Sequence, residues 1–381
     1  MNDKRPILIT AGGTGGHVYP GLAVARALIK QDIPVVWMGT HKGLEARVIP
    51  AAGIEMAWLD VNGLRGKGLM TLLAAPVKLI KALFQSIGIM RKHRPVAVLG
   101  MGGFVAGPGG LVASLMGIPV VIHEQNAVAG LTNKLLSKFS KKILEGFPQT
   151  FPKSATATKQ NKIIAIGNPV RKEITAIAPP EKRLAGRDSA IRLLIIGGSL
   201  GAQALNEIVP QALAELGENI RPKVRHQAGK GKDATTQADY KAVGVDALVT
   251  PFIEDMSEAY EWADLIICRA GALTIAEVAA AGLASILVPY PYAVDDHQTA
   301  NGAYLSDNGA AILMQQTEFN KDSASKVLQS LLTDREKIVS MSIKARKLAK
   351  PTATDEVAAI CAQLAGYDFN KNTANSKEET I

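Results

Sequence analysis

Short apolar, β-branched runs recur along the chain at Ile7 to Thr10, Val35 to Met38, Val96 to Leu99, Val120 to Ile122, Leu193 to Ile196, Leu265 to Cys268 and Ile286 to Val288, with helix-like stretches between them. Apolar strands alternating with helices predict parallel sheets. Two segments resemble one another: ILITAGGTGGHVYPGLAVARAL, from Ile7 to Leu28, and RLLIIGGSLGAQALNEIVPQAL, from Arg192 to Leu213. Each reads as strand, glycine turn, helix, the opening of a doubly wound domain. The predicted fold class is therefore α/β, with two Rossmann-like domains at 1–165 and 166–350. The stretch from Gly167 to Arg187, with Pro169, Pro179 and Pro180, reads as the linker. A C-terminal helix over 351–366 is expected to pack back on the first domain, and the polar tail over 367–381 is expected to be disordered.

Composition narrows the class further. A chain of 381 residues with 47% hydrophobic residues, 35 glycines and only 5% aromatics suits a two-domain globule with many strand-to-helix turns. Cys268 and Cys361 are the only cysteines, which gives no disulfide framework and no clustered metal site, so a reducing cytoplasmic compartment is expected. Met1 to Pro6 lack the features of a secretory signal. Pro95 to Ile122 is uncharged and long enough to cross a bilayer, yet its glycines and prolines divide it into strand, loop, helix and strand, which lipid does not tolerate.

The formal charge is +9, and its distribution says more than its size. No Asp or Glu occurs from Val61 to His123, where Arg65, Lys67, Lys78, Lys81, Arg91, Lys92 and Arg94 all fall. In the same region Leu72, Leu73, Val77, Ile80, Leu83 and Phe84 recur at helical spacing beside Lys78 and Lys81. A basic, apolar helix suits an anionic membrane surface, although an ordinary core-facing helix explains the apolar stripe alone. Nucleic acid is not expected, because the segment lacks interleaved aromatics.

A strand, a glycine turn and a helix together place free N–H groups and the positive helix end where a diphosphate can bind. AGGTGGH (Ala11 to His17) and GGSLGA (Gly197 to Ala202) both fit, adding the hydroxyls of Thr14 and Ser199; tight strand-to-helix packing is the plainer reading of either alone. A nicotinamide site is disfavoured, since the third glycine is missing and the second strand ends at Thr40-His41-Lys42 without an acid. No GxxxxGK[ST] P-loop occurs. In CRAGALTIAEVAAAG, Glu277 falls in the first turns of a helix, where a carboxylate can accept both ribose hydroxyls or simply complement the helix end. The loop Pro289 to Gly302 gathers Asp295, Asp296, His297, Gln298 and Asn301, as a ligand-binding loop or a solvated turn, and with a single His it makes a poor metal site.

AGGTGGHVYPGLAVA, GLRGKG, MGGFVAGPGG, HEQNAVAGLTNK, GNPVR, GGSLGA, CRAGALTIAE and DDHQTAN, in that order from about Ile7 to Leu364, resemble the MurG family, within the wider GT-B group. That resemblance implies two domains facing across a cleft, and inverting transfer of N-acetylglucosamine from UDP-N-acetylglucosamine to the 4-hydroxyl of undecaprenyl-diphosphate-linked N-acetylmuramyl-pentapeptide, lipid I to lipid II, in peptidoglycan synthesis. It implies no cofactor and no metal, a peripheral place on the cytoplasmic face of the inner (plasma) membrane, and partners among cell-wall synthesis and division proteins. Carried over by motif, Thr14, Gly15 and Gly16 lie at the donor diphosphate and reactive centre, Asn126 contacts the sugar, and Arg171 and Ser199 belong to the donor pocket. Ile253 meets uracil through its backbone. Backbone groups of Ala272, Leu273, Thr274, Ile275 and Ala276 face the phosphates, Glu277 binds ribose, and Gln298 reaches the transferred sugar. Gly302 departs from the family's frequent Ala, and the polar tail is an extension.

Such a transfer needs a base for the acceptor hydroxyl and stabilisation of the leaving diphosphate. His17, directly after the first glycine turn, is the expected general base, since an imidazole titrates near neutral pH. Glu124 is the runner-up, with orienting Asn126 as its other reading. A UDP-sugar epimerase or hydrolase of the same fold is the alternative function, and it would have no use for a basic amphipathic face.

Overall fold

The computed structural model describes residues 4–60, 75–152, 162–198 and 200–370. The chain divides into two compact units, Met1–Pro169 with Thr352–Ile381, and Val170–Pro351.

In the first unit β1 (Ile7–Thr10), β2 (Val35–Thr40), β3 (Glu55–Leu59), β4 (Ala97–Gly100), β5 (Val120–Glu124), β6 (Lys142–Glu145) and β7 (Ile163–Ala165) form one parallel sheet in the order β3-β2-β1-β4-β5-β6-β7. Ile7 sits opposite Val35 on one side and Ala97 on the other, so β1 is central. Its residues are buried on both faces: Ile7 and Ile9 pack with Val18, Leu22 and Trp37, while Leu8 packs with Val36, Met38 and Val98. That period of two is why an apolar run, and not an alternating one, marks a covered strand. The covering helices are α1 (Gly15–Ile29), α2 (Glu45–Ala51), α3 (Ala75–His93), α4 (Gly103–Leu115) and α5 (Leu131–Leu136). The strand order reverses between β1 and β4, which puts the turns after Thr10 and Gly100 at the switch point where doubly wound sheets bind ligands.

The second unit begins with α6 (Lys172–Thr175) and α7 (Pro180–Arg183), then repeats the topology. β8 (Arg192–Ile196), α8 (Gln203–Ala214), β9 (Lys223–Gln227), α9 (Asp233–Ala242), β10 (Ala247–Thr250), α10 (Met256–Trp262), β11 (Leu265–Cys268), α11 (Ala272–Ala281), β12 (Ala284–Leu287), α12 (His297–Ser306), β13 (Ala311–Leu313), α13 (Lys321–Leu332) and α14 (Arg335–Lys347) follow. The sheet order is β10-β9-β8-β11-β12-β13, again all parallel, with the switch between β8 and β11. Its turns after Ile196 and Cys268 carry the second and third glycine motifs.

Two expectations need correction. The proline-bearing stretch to Arg187 is built into the second unit and is no free linker. Ile174, Ile177 and Leu184 are buried. Arg183 donates to the carbonyls of Ala263 and Gly282, and burial pulls its guanidinium down to about 10. A buried guanidinium without carbonyl acceptors would be strongly unfavourable, so these bonds clamp the segment. The C-terminal helix α15 (Ala353–Leu364) buries Val357, Ala358, Cys361 and Ala362 against Val18, Leu22 and Ala25 of α1. Chain after it stays ordered as far as Asn370, where the structure differs from the expected disorder: the Tyr367 hydroxyl donates to Arg5 O at 2.6 Å, and Gln31 Nε2 donates to Asn370 O at 3.1 Å. The rest of the expected tail, 371–381, lies outside the described residues. Both cysteines are free and buried.

Candidate active site

The turn after β1 is held by a residue that sequence reasoning missed. Gly13, at φ +97°, donates its N–H to Glu45 Oε2 at 3.0 Å. The other oxygen of Glu45 accepts from Thr40 N at 3.0 Å and Thr40 Oγ1 at 2.8 Å. The carboxylate is fully buried at the start of α2, where donors and the positive helix end replace water. A Cβ on Gly43 would overlap it at 2.0 Å, so the glycine before it is part of the cradle. Gly103, at φ +76°, lets α4 approach the same turn, since a Cβ there would come within 2.7 Å of Gly12 O. Thr14 is exposed at the N-cap with no side-chain cap bond, and Gly15 and Gly16 open α1, where first-turn N–H groups lack helical partners.

His17 is half-buried, with its imidazole against Gly102 and its Nδ1 2.8 Å from Gln125 Oε1. Gln125 Nε2 lies 3.0 Å from His123 Nδ1. His123 Nε2 in turn lies 2.9 Å from Gly167 O. His123 is fully buried, which lowers its pKa to about 4 and keeps it neutral. Glu124 takes the orienting task. Its Oε1 accepts from Asn126 N (3.1 Å) and Nδ2 (3.2 Å), and its Oε2 from Gly130 N (3.0 Å) and Asn133 Nδ2 (2.9 Å). Four donors on a buried carboxylate organise the loop that carries Asn126 and leave it badly placed to take a substrate proton. The alternation of a strand running past its end explains this sorting: His123 and Gln125 share one face, Glu124 and Asn126 the other.

In the second unit the turn after β8 is pinned by a neutral side chain. Gln227 Oε1 accepts from Gly198 N at 3.0 Å, and its Nε2 donates to Gly198 O at 2.9 Å and Pro251 O at 3.0 Å. Gly201 and Gly229 meet backbone to backbone, where a Cβ on Gly229 would come within 2.4 Å of Gly201 N. Ser199 lies outside the described residues. After β11, Gly271 caps α11 without a side-chain bond, so the N–H groups at Ala272, Leu273 and Thr274 face the end of the helix. The Ile275 side chain is fully buried, Ala272 nearly so, and Leu273, Thr274 and Ala276 are partly exposed. Glu277 and Arg171, assigned separately from sequence, are partners: Arg171 Nη2 donates to Glu277 Oε1 at 3.0 Å, and the Tyr260 hydroxyl donates to Oε2 at 3.0 Å. Burial, then the Glu277 charge, raises the Tyr260 phenol well above its usual range, so it stays a donor. Ile253 is half-buried between β10 and α10. Gln298 Oε1 accepts from Tyr290 N at 2.9 Å, which ties α12 to the loop after β12.

The glycosyltransferase family 28 N-terminal domain matches residues 7–145, and its C-terminal domain matches 192–357. The chain belongs to glycosyltransferase family 28. Among family 28 relatives, the UDP-N-acetylglucosamine--N-acetylmuramyl-(pentapeptide) pyrophosphoryl-undecaprenol N-acetylglucosamine transferase of Dechloromonas aromatica is 51% identical over 95% of this chain and 99% of its own length. The transferase of the same name from Alkalilimnicola ehrlichii is 52% identical over 94% of this chain and 99% of its own. A crystal structure of Acinetobacter baumannii MurG superposes with a TM-score of 0.82 at 43% identity, covering 94% of this chain and 99% of that one. A UDP-GlcNAc 2-epimerase from Neisseria meningitidis shares the fold alone, at 12% identity and a TM-score of 0.64.

Helix α3 sorts the residues proposed for membrane docking. Ala82, Ser86 and Met90 face the core, and Leu83 packs beside them, so Leu83 belongs to the interior stripe. Val77 and Phe84 are both 70% exposed and Ile80 is 54% exposed, a second apolar stripe at helical spacing that faces solvent. Lys78 is half-buried, and Lys81 lies 3.7 Å from Asp60. Leu72 and Leu73 lie outside the described residues. Among the described residues no helix is long and apolar enough to cross a membrane.

Proposed function

We infer that this family 28 enzyme transfers N-acetylglucosamine, with inversion, from UDP-N-acetylglucosamine to the 4-hydroxyl of lipid-linked N-acetylmuramyl-pentapeptide, converting lipid I to lipid II. The observation that carries this is the 51% identity, across 95% of the chain, to a transferase named for that reaction. The epimerase alternative has only the shared fold behind it.

On this reading the second unit holds the donor. The first turns of α8 and α11, with Ser199, receive the growing charge of the leaving diphosphate; Ile253 meets uracil through its backbone, Glu277 accepts the ribose hydroxyls, and Arg171 and Tyr260 hold its carboxylate in place. Gln298 and Asn126 address the sugar. The first unit supplies Thr14, Gly15 and Gly16 near the reactive centre, and His17 as base. As His17 removes the acceptor's proton, the acceptor oxygen forms its bond to the anomeric carbon, and the bond to UDP breaks with its electron pair on the diphosphate oxygen. Attack opposite the leaving group inverts the centre.

The acceptor is lipid-linked, which places the work at a membrane. The exposed Val77, Ile80 and Phe84 with Lys78 support peripheral docking on an anionic leaflet, at the cytoplasmic face of the inner membrane. Partners among cell-wall synthesis and division proteins belong to the same reading. The test is purified enzyme with radiolabelled UDP-N-acetylglucosamine, with and without lipid-linked acceptor. Label passing into lipid only when acceptor is present is expected; donor converted or hydrolysed in its absence, with no lipid product, would overturn the reading.

A further inference from the structure

Two backbone carbonyls dictate where the protons sit along His123, Gln125 and His17. A carbonyl oxygen only accepts, so His123 Nε2, 2.9 Å from Gly167 O, carries its hydrogen. His123 is neutral in the interior, so its Nδ1 must accept. Gln125 Nε2 donates to it at 3.0 Å. The amide orientation has an independent support, since the same nitrogen lies 3.2 Å from His123 O, which can only accept. Gln125 Oε1 is thereby turned to His17 Nδ1 at 2.8 Å. An amide oxygen only accepts, so that nitrogen of His17 carries the hydrogen and Nε2 of the neutral ring keeps the lone pair.

Resting on the transferase reading, we propose that Gln125 and His123 are positioning residues that lock His17 in its Nδ1–H tautomer, making Nε2 the atom that takes the acceptor's proton. The main chain also fixes the row from the side: Asn168 Nδ2 donates to Gln125 O at 2.9 Å. Gly102, at φ +92°, leaves room for the imidazole, because a Cβ there would stand 3.0 Å from His17 Cε1. Of the carboxylates nearby, Glu124 is spent on Asn126, Gly130 and Asn133, and Glu145 on the N–H groups of Gln149 and Phe151. Neither reaches His17 Nδ1, so the orienting partner of the base is a neutral amide. When Nε2 gains the proton, Nδ1–H still donates to Gln125 Oε1, and no hydrogen bond in the row has to turn over.

The full-length chain labelled with 15N-histidine tests this by long-range 1H–15N correlation at about pH 8, with His17 assigned from the signal lost in His17→Ala. The expected spectrum shows His17 with hydrogen on Nδ1 and an unprotonated Nε2. In Gln125→Met, which keeps the length but not the acceptor, the hydrogen moves to Nε2 in most molecules. Turnover in that variant falls roughly ten-fold or more, toward the contribution expected of a positioned base, while KM for UDP-N-acetylglucosamine changes less than about two-fold. A wild-type His17 carrying its hydrogen on Nε2 overturns the proposal, as does a Gln125→Met enzyme with unchanged kcat. The wild-type spectrum decides even if Gln125→Met does not fold. It needs no turnover either, so absent transferase activity would refute the transfer reading separately.

Discussion

Each unit buries one histidine near the carboxyl end of a strand, His123 on β5 and His226 on β9, and each is followed closely by a glutamine. In the second unit His226 Nδ1 meets the Tyr240 hydroxyl at 2.9 Å and Nε2 meets Asn206 Oδ1 at 3.1 Å, while Asn206 Nδ2 donates to Ala228 O. That row ends inside the core, and Gln227 turns instead to the glycine turn. In the first unit Gln125 links the buried histidine outward to His17. One topology thus supports two outcomes: a network that closes on itself in the core, and one that reaches outward to a histidine at its edge. The difference lies in a few polar side chains at the switch point, which is why fold alone does not separate transferase from epimerase.

The sharpest way to break this contrast is to remove His17, the proposed base. His17→Ala is expected to lower kcat by about 10²- to 10⁴-fold in the lipid-transfer assay, roughly 3–5 kcal/mol of barrier. Unchanged turnover would remove His17 from the mechanism.

Acid bears on both units at once. Burial depresses both histidines, to about 4 for His123 and about 3 for His226, below the ordinary 6.5 of an unfolded chain. The unfolded state then binds more protons, so the stability both groups confer is complete above about pH 6.5 and is lost as pH falls toward 4 and 3. By pH 5 each should have cost its unit about 2 kcal/mol, read as a lower denaturant midpoint than at pH 7. Equal midpoints at the two pH values would mean the histidines are not held neutral.

The two turn locks should differ as well. Glu45→Ala leaves three donors without their buried carboxylate and should destabilise the first unit by about 3 kcal/mol, whereas Gln227→Ala should cost the second unit about 1–2 kcal/mol. Denaturant unfolding of the two variants would show the reverse ranking if the carboxylate were not the stronger anchor. Smallest is Lys78→Gln, which should weaken binding to anionic vesicles by about 1 kcal/mol, with Lys81→Gln costing less because Asp60 already offsets that charge.

The central strands were legible because they are covered on both faces and read as apolar runs: Ile7 to Thr10 and Leu265 to Cys268 are predicted and observed with the same ends. β9 was not, since Lys223 and Arg225 interrupt KVRHQ with side chains that reach solvent while Val224 and His226 go inward. The glycine turns, Glu277 and His17 announced themselves by position after a strand. Glu45 and Gln125 did not, because what defines them is the backbone they face across 32 and 108 residues of chain, and no local pattern carries that. Leu83 was misplaced on α3 because a helix with apolar residues on two faces has no single period to read.

In the proposed reaction the second unit holds the donor while the first supplies the base. Calorimetric titration of uridine diphosphate into His17→Ala and Glu277→Ala tests it in one experiment. Wild-type affinity is expected in the histidine variant and roughly ten-fold or greater loss in the glutamate variant, the loss that removing the proposed hydrogen-bonding partner of the ribose would cause. Lost binding in His17→Ala, or full binding in Glu277→Ala, would contradict it.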